Sequence, residues 1–318
     1  MGASGAWTMW RALLGMAVLD LTAASFLSPP QVHSRRRTTL STERACGALA
    51  CADAGLDEQQ LKYMEEERII LVDIHDRVLG AQSKVSSHLC EYGPLLHRAF
   101  SVFLFDSQGR MLLQKRAAEK ITFPNHWTNT CCSHPLYTPH EMGTDLTPAD
   151  PLLGVKRAAI RKLGHELGIP ASELPLESMT YMGRIHYIAD SDDRWGEHEI
   201  DYVFFIQADV TLEANANEVC ETAYMSAEEV GELFGTAESK GVKVTPWARH
   251  IVEQFVFDWW KSLGDQQKLE EQAEFEVIHR MGVCAHPEWS DPSQLYHPET
   301  TPMREVGGEG GVRTVQKS

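Results

Sequence analysis

The sequence predicts an α+β fold in which a mixed β-sheet is packed between helices. Strand-like apolar runs at 68–73, 95–105 and 111–115 precede a helical pattern at 150–168, and further strands and helices follow. This order of elements is typical of a layered α+β or α/β sandwich. The hydrophobic fraction of 43% and the charged fraction of 23% are those of a globular protein that buries its own core.

The first half of the domain reads mostly as strands. The pattern predicts a polar helix over 57–67, followed by a hairpin formed by 68–73 and 77–80. A polar loop over 81–94 holds His88. Strands are then predicted at 95–105 and 111–115, with a short β-like run at 127–132.

The second half alternates helices and strands. Apolar residues recur at three and four positions over 150–168, and Gly168 stands where a C-terminal cap belongs. Strands are predicted at 179–188 and 199–209, and Ser226-Ala-Glu-Glu229 matches a capping box. Two helices follow, one from Pro246 through Trp260 and a charged one over 264–281.

Charge and cysteine usage exclude some functions. The net charge of −16 repels nucleic acid, so any basic pocket must be local. Seven cysteines at irregular spacing do not fit a disulfide framework. The adjacent Cys131 and Cys132 would point to opposite faces of a strand, which favours reduced thiols.

Both ends of the chain differ from its centre. Residues 1–56 combine a short apolar stretch with an Arg/Ser/Thr-rich run, which is typical of an organelle targeting leader, with a plastid preferred to a mitochondrial or cytoplasmic location or a membrane anchor. Residues 282–318 are rich in Pro and Gly and are predicted to be disordered. The domain itself should therefore span 57–281.

Two polar clusters suggest a metal-assisted proton-transfer site. Glu197 and Glu199 are two residues apart, so on a strand both point to one face. Buried paired carboxylates repel each other unless a cation lies between them, although a solvated edge strand would also tolerate the pair. His88, His97 and His134 could add imidazoles, and this mixed set suits Mn²⁺, Mg²⁺ or Zn²⁺, although a lone histidine is often structural.

Other candidates carry open alternatives. Cys132 could be a nucleophile, a base, a metal ligand or simply a small buried hydrophobe. Basic side chains near the site, Lys84, Arg116 and Lys120, suggest an anionic substrate or a solvated surface. Tyr187 and Trp247 could be core anchors, or could line a pocket where an aromatic face stabilises a cation.

Several motifs, in this order, carry a family resemblance. They are Leu95-Leu-His-Arg-Ala-Phe-Ser-Val-Phe-Leu-Phe105, Trp127-Thr-Asn-Thr-Cys-Cys-Ser-His-Pro135, Trp195-Gly-Glu-His-Glu-Ile-Asp-Tyr202 and Val244-Thr-Pro-Trp247. Over about residues 60 to 281 the chain resembles type I isopentenyl-diphosphate Δ-isomerases. That resemblance implies a Nudix-type α/β/α sandwich with added N-terminal strands. It also implies interconversion of isopentenyl and dimethylallyl diphosphate by protonation and deprotonation, in a monomer whose mature domain is not a membrane protein.

The resemblance assigns roles residue by residue. It implies that Cys132 and Glu199 are catalytic with Tyr187 in support, and that Lys84, Arg116, Lys120, Ser133 and Trp247 contact the substrate. The implied ligands of an active-site ion are His88, His97, His134, Glu197 and Glu199. That ion is Mg²⁺, with Mn²⁺ or Zn²⁺ as alternatives, and Glu166 serves a second Mg²⁺ on the diphosphate. Lys162 stands where some relatives have arginine, which keeps the charge but loses the bidentate fork.

Two other functions compete with this one. A Nudix hydrolase of nucleoside diphosphate derivatives would carry three carboxylates in the helix that here reads Arg161-Lys-Leu-Gly-His-Glu-Leu-Gly168, and only Glu166 remains. A non-catalytic metal- or diphosphate-binding protein is the second alternative. Proton exchange with solvent during isomerisation would separate an enzyme from such a binder.

Overall fold

The structure is a computed structural model that describes residues 57–282. The predicted leader, 1–56, lies outside the described residues, as does the predicted tail apart from Gly282. Within the described part, no helix is both long enough and apolar enough to cross a bilayer.

A ten-stranded mixed sheet forms the centre of the described region. Its main path runs β10-β7-β8-β3-β1-β2, and β3 and β8 are parallel neighbours at the middle. The strands on this path are β1 Arg68–Val72, β2 Val78–Ser83, β3 His97–Phe105, β7 Met179–Asp190, β8 Gly196–Gln207 and β10 Ile278–Arg280.

Four further strands branch from this path. β4 (Met111–Arg116) pairs antiparallel with the end of β3, with β5 (Trp127–Thr128) and with β9 (Val219–Met225). β6 (Cys131–Ser133) pairs antiparallel with β3, where Ser101 faces Cys132. The thiol segment is therefore fixed to the same central strand that begins with His97.

Helices cover both faces of the sheet. They are α1 Glu58–Glu66, α2 Lys84–His88, α3 Pro139–Met142, α4 Pro151–Leu167, α5 Ala227–Thr236, α6 Pro246–Ile251, α7 Phe257–Trp260 and α8 Gln266–Glu271. A π-helical turn, Val252–Val256, joins α6 to α7.

The core consists of two apolar layers, one on each side of β3 and β8. Phe100 and Phe204 pack with Val155 and Leu163 of α4 in the first layer. The second layer contains Phe103, Phe105 and Phe205, together with aromatic and aliphatic residues of α5, α6 and α7. Since alternate residues of a strand face opposite sides, one strand serves both layers. The predicted α/β/α sandwich with a mixed sheet is confirmed.

Some predicted elements need correction. The loop predicted over 81–94 contains the helix α2, because Ser83 caps it by accepting a hydrogen bond from the Ser86 N–H. The helix predicted over 264–281 ends at Glu271, and its last residues form β10, which pairs parallel with β7. β9 was missed because its residues, Val-Cys-Glu-Thr-Ala-Tyr-Met, are half exposed and follow no alternating pattern.

Candidate active site

Three histidines and two glutamates meet at the end of the two central strands. His88 ends α2, His97 begins β3, His134 follows β6, and Glu197 and Glu199 lie on β8. All five are buried, and one ligand atom from each lies within 4.8 Å of the others. The parallel register places His97 opposite Glu199, which explains why two distant segments meet here. His198, between the glutamates, faces the other way and lies 3.0 Å from the Pro94 carbonyl oxygen.

Backbone carbonyl groups fix the orientation of two of the imidazoles. Nδ1 of His88 lies 2.6 Å from the Lys84 oxygen, and Nδ1 of His97 lies 2.7 Å from the Leu95 oxygen. A carbonyl oxygen can only accept, so each Nδ1 carries the proton. The Nε2 atoms therefore direct lone pairs into the cluster, as in histidines that bind metals.

The cluster fits a divalent cation. Within the described residues, His88 Nε2, His97 Nε2 and Glu197 Oε2 are buried and have no hydrogen-bond partner. Yet His88 Nε2 lies only 2.7 Å from Glu197 Oε2, where a lone pair and a carboxylate repel. His134 is held neutral in the same cluster, since burial and then the neighbouring His97 and His88 hold its pKa well below its usual value. A cation satisfies the exposed lone pairs and the carboxylates together.

Glu199 is held on two sides. The Tyr187 hydroxyl donates to Glu199 Oε2 at 2.5 Å, and His134 Nε2 lies 2.8 Å from Glu199 Oε1. Tyr187 is directly opposite Glu199 in the antiparallel pairing of β7 and β8. Glu199 therefore contacts the histidine cluster and also lines an adjacent cavity, whose wall includes Tyr187 and Cys132.

Cys132 lines the same cavity as Glu199 and Tyr187. Its sulfur lies 3.9 Å from Arg116 Nη1. Burial raises the pKa of the Cys132 thiol, and the Arg116 guanidinium partly opposes that effect. Both Cys131 and Cys132 are free thiols.

Trp247 forms an aromatic wall of this cavity. Its ring centroid lies 6.0 Å from that of Tyr187 and 5.3 Å from that of Phe123. The indole N–H donates to Asn129 Oδ1 at 3.1 Å. Phe123 and Asn125 both have positive φ, a strained backbone that in proteins often lies beside functional sites.

Comparison with known proteins gives a consistent family. The NUDIX domain family matches residues 95–248. The isopentenyl-diphosphate delta-isomerase of Aspergillus fumigatus is 53% identical over 222 residues, which are 66% of this chain and 77% of that protein.

The match extends to plants and mammals. Isopentenyl-diphosphate Delta-isomerase I of Clarkia breweri is 45% identical over 83% of this chain and 91% of its own length. Isopentenyl-diphosphate Delta-isomerase 1 of Bos taurus is 47% identical over 71% of this chain and 96% of its own length.

The chain belongs to the isopentenyl-diphosphate delta-isomerase family. It is therefore an isomerase with a Nudix fold. The buried cluster of three histidines and two glutamates is compatible with a divalent metal in such an enzyme.

Three basic side chains of this isomerase, Lys84, Arg116 and Lys120, line the same cavity. Lys84 forms an ion pair with Glu67 at 2.9 Å, and Lys120 forms one with Glu218 at 2.6 Å. Arg116 donates to the Thr122 carbonyl oxygen at 2.8 Å. Together with Ser133, these groups place positive charge and hydrogen-bond donors beside Cys132.

Glu166 stands apart from the five-residue cluster. It lies on α4, where its carboxylate is 3.3 Å from Lys162 Nζ, 3.0 Å from Gln114 Nε2 and 3.4 Å from the Cys131 sulfur. If it holds an ion in this isomerase, that ion is a second one.

Sequence reasoning missed several polar residues of the site. Asn129 is fully buried and bonds to Trp247 and to the Val102 and Cys131 carbonyl oxygens. Glu218 is also buried and holds Lys120. Asn129 also accepts from the Thr128 hydroxyl at 2.9 Å. It stands inside a recognised motif, but nothing in the sequence marks it separately as the centre of these hydrogen bonds. Glu218 is the last residue of an irregular segment, 208–218, where nothing in the sequence pattern marks it.

Proposed function

We propose that this isomerase interconverts isopentenyl diphosphate and dimethylallyl diphosphate by adding a proton to one carbon and removing one from another. The carrying observation is that one cavity presents an acid pair, Glu199 with Tyr187, a thiol, Cys132, and the face of Trp247. Moving a double bond needs an acid and a base at different carbons, and this cavity offers both.

In the forward direction, Glu199 donates a proton to the terminal carbon of the alkene. The Tyr187 hydroxyl bond stabilises the carboxylate that remains. The tertiary cation forms at the face of Trp247, whose π electrons stabilise positive charge. Cys132 then takes a proton from the neighbouring carbon as a thiolate, the form that the Arg116 guanidinium stabilises against the effect of burial. Exchange with solvent restores both groups. The reverse reaction exchanges their roles.

The metal is assigned to His88, His97, His134, Glu197 and Glu199. When bound, it supplies positive charge that makes Glu199 a stronger proton donor. We propose Mg²⁺ for this site, with Mn²⁺ and Zn²⁺ as alternatives that the nitrogen-rich ligand set also suits. Glu166 would hold a second Mg²⁺, which would supply positive charge to the diphosphate.

The diphosphate end of the substrate is assigned to the basic side chains that line the cavity. Lys84, Arg116, Lys120 and Ser133 provide charged and neutral donors there. Binding energy from this end holds the carbon end between Glu199 and Cys132, which is how remote contacts contribute to rate. The surrounding apolar side chains exclude water that would quench the cation.

An isomerase assay on the full-length chain tests the proposal. With isopentenyl diphosphate and Mg²⁺, we expect dimethylallyl diphosphate to form and no phosphate or pyrophosphate to be released. Phosphate release from nucleoside diphosphate derivatives, without isomerisation, would instead favour the hydrolase, which α4 argues against because only Glu166 remains of the three carboxylates expected there. Metal analysis of the same preparation identifies the ion.

We also propose that residues 1–56 direct the chain to a plastid and that the mature protein is a monomer. The support for location is that matching isomerases of Cannabis sativa and Arabidopsis thaliana, at 46% and 44% identity, are named chloroplastic. N-terminal sequencing of the native protein should find the leader removed. An intact Met1 would contradict a cleaved leader.

A further inference from the structure

Glu218 is a buried carboxylate outside the metal cluster. It lies in the turn before β9 and is 2% exposed. One oxygen accepts from Lys120 Nζ at 2.6 Å, and the other accepts from Gln60 Nε2 at 3.2 Å. Lys120 is assigned to the diphosphate of the substrate, whereas Glu218 has no role in the proposed reaction.

These contacts join two parts of the cavity wall. Lys120 is in the loop after β4, and Gln60 is in α1, which also contributes Met64 to the cavity. Gln60 Nε2 bonds Asn217 as well, and the Ala117 N–H donates to the Glu218 backbone oxygen at 3.0 Å. The carboxylate is therefore held in place by α1 and by the loop that carries Lys120.

Lys120 needs a negative partner to stay charged. Burial lowers the pKa of Lys120, with Arg116, Lys162 and Lys84 acting in the same direction, and Glu218 is the group that opposes them. A buried ammonium group without its partner either loses its proton or turns towards water. In both cases it no longer presents a positive charge to an anion in the cavity.

We propose that Glu218 is a positioning residue for the diphosphate end of the substrate: it holds the Lys120 ammonium group in the cavity and ties α1 to it. The inference rests on the proposed role of Lys120. Glu218 does not touch the reacting carbons, so its effect belongs to binding and not to proton transfer. Its carboxylate assists an anion indirectly, although its own charge is negative.

Two simpler roles predict different results. If Glu218 only repelled the diphosphate, its neutralisation would lower KM. If it only stabilised the fold, its loss would reduce the folded fraction, and hence the apparent kcat, at an unchanged KM. A higher KM at an unchanged kcat would therefore distinguish a positioning role from repulsion of the diphosphate and from stabilisation of the fold.

The test compares full-length variants with isopentenyl diphosphate as substrate. E218Q should raise KM about tenfold, because glutamine keeps a hydrogen-bond acceptor but lacks the negative charge that holds the Lys120 ammonium group, and it should leave kcat within about twofold. E218D, which keeps the charge on a shorter side chain, should recover part of the loss. E221Q is the matched control, since Glu221 is also on this edge and pairs with Lys115 at 3.9 Å in an exposed position. It should behave as the unaltered chain.

The variant K120Q tests the diphosphate-binding role of Lys120 separately from the positioning role of Glu218. If K120Q raises KM but E218Q leaves it unchanged or lowers it, the positioning role is wrong and the diphosphate assignment survives. If K120Q also leaves KM unchanged, the assignment of Lys120 fails and the inference fails with it. Thermal unfolding of each variant measures the folded fraction, and a loss of kcat that follows this fraction at constant KM also overturns the positioning role.

Discussion

Cys131 and Cys132 are adjacent in the chain but have different surroundings. Alternation along β6 turns Cys131 towards α4, where its sulfur lies 3.4 Å from Glu166 Oε2, and turns Cys132 into the cavity beside Arg116. Burial raises the pKa of both thiols, and Glu166 raises that of Cys131 further, whereas Arg116 opposes the rise at Cys132. Of the two, Cys132 lines the cavity and Cys131 does not.

Replacing the two thiols separately tests this division. C132A should lower kcat by about 10²-fold or more, the usual contribution of a general base. C131S should retain most activity, because its side chain faces away from the cavity. Steady-state kinetics measures both, with metal content as the check that the cluster is intact. An inactive C131S beside an active C132A would show that the wrong thiol was assigned.

The candidate residues could be named from the sequence, but their chemical states could not. Residue types and spacing pointed to the five metal-site residues and to Cys132, and the structure brings the five within 4.8 Å. That Nδ1 of His88 and His97 carries the proton depends on carbonyl groups placed by the fold. Asn129 and Glu218 were missed because their partners Trp247 and Gln60 are 118 and 158 positions away.

At the scale of elements, α4 and its cap were predictable because they depend on local sequence. The helix spans Pro151–Leu167, Asp150 caps its start, and Gly168 ends it in the left-handed region. β9 and β10 were not predictable in this way, since each is defined by pairing with a strand that is distant in sequence. Residues close in sequence determine where a helix is capped, whereas an edge strand forms only when the neighbouring strand of the sheet is in place.

Gly168 provides a stability test of α4. Its φ is +67°, and a Cβ there would lie 2.3 Å from the Glu213 backbone oxygen, so G168A combines backbone strain with a clash. We expect a loss of about 1–3 kcal/mol in the free energy of unfolding. G235A is the matched control, because Gly235 lies in α5 with open space around its Cβ position. It should be neutral or stabilising by up to about 1 kcal/mol. Denaturant unfolding that ranks the two in the opposite order would contradict this account of the cap.

At the scale of the whole molecule, the sandwich brings the proposed reactive groups together on its central strands. β3, β6, β7 and β8 deliver His97, Cys132, Tyr187 and Glu199 to one region, because β3 pairs with both β6 and β8 and β7 pairs with β8. The net charge of −16 is spread over a chain whose cavity nevertheless gathers Lys84, Arg116 and Lys120. The fold thus separates a local basic subsite from an acidic surface, which suits a small anion.

The central claim is that one group adds a proton from solvent to the substrate while another removes a different proton. The most direct test is to run the reaction in heavy water and to measure deuterium in the dimethylallyl diphosphate by mass spectrometry. The account predicts one deuterium in each product molecule at early times, in the newly formed methyl group, and product formation by C132A that is slower by about 10²-fold or more. Product that forms at full rate without deuterium would mean that the same hydrogen is moved within the substrate, and would contradict a two-sided site.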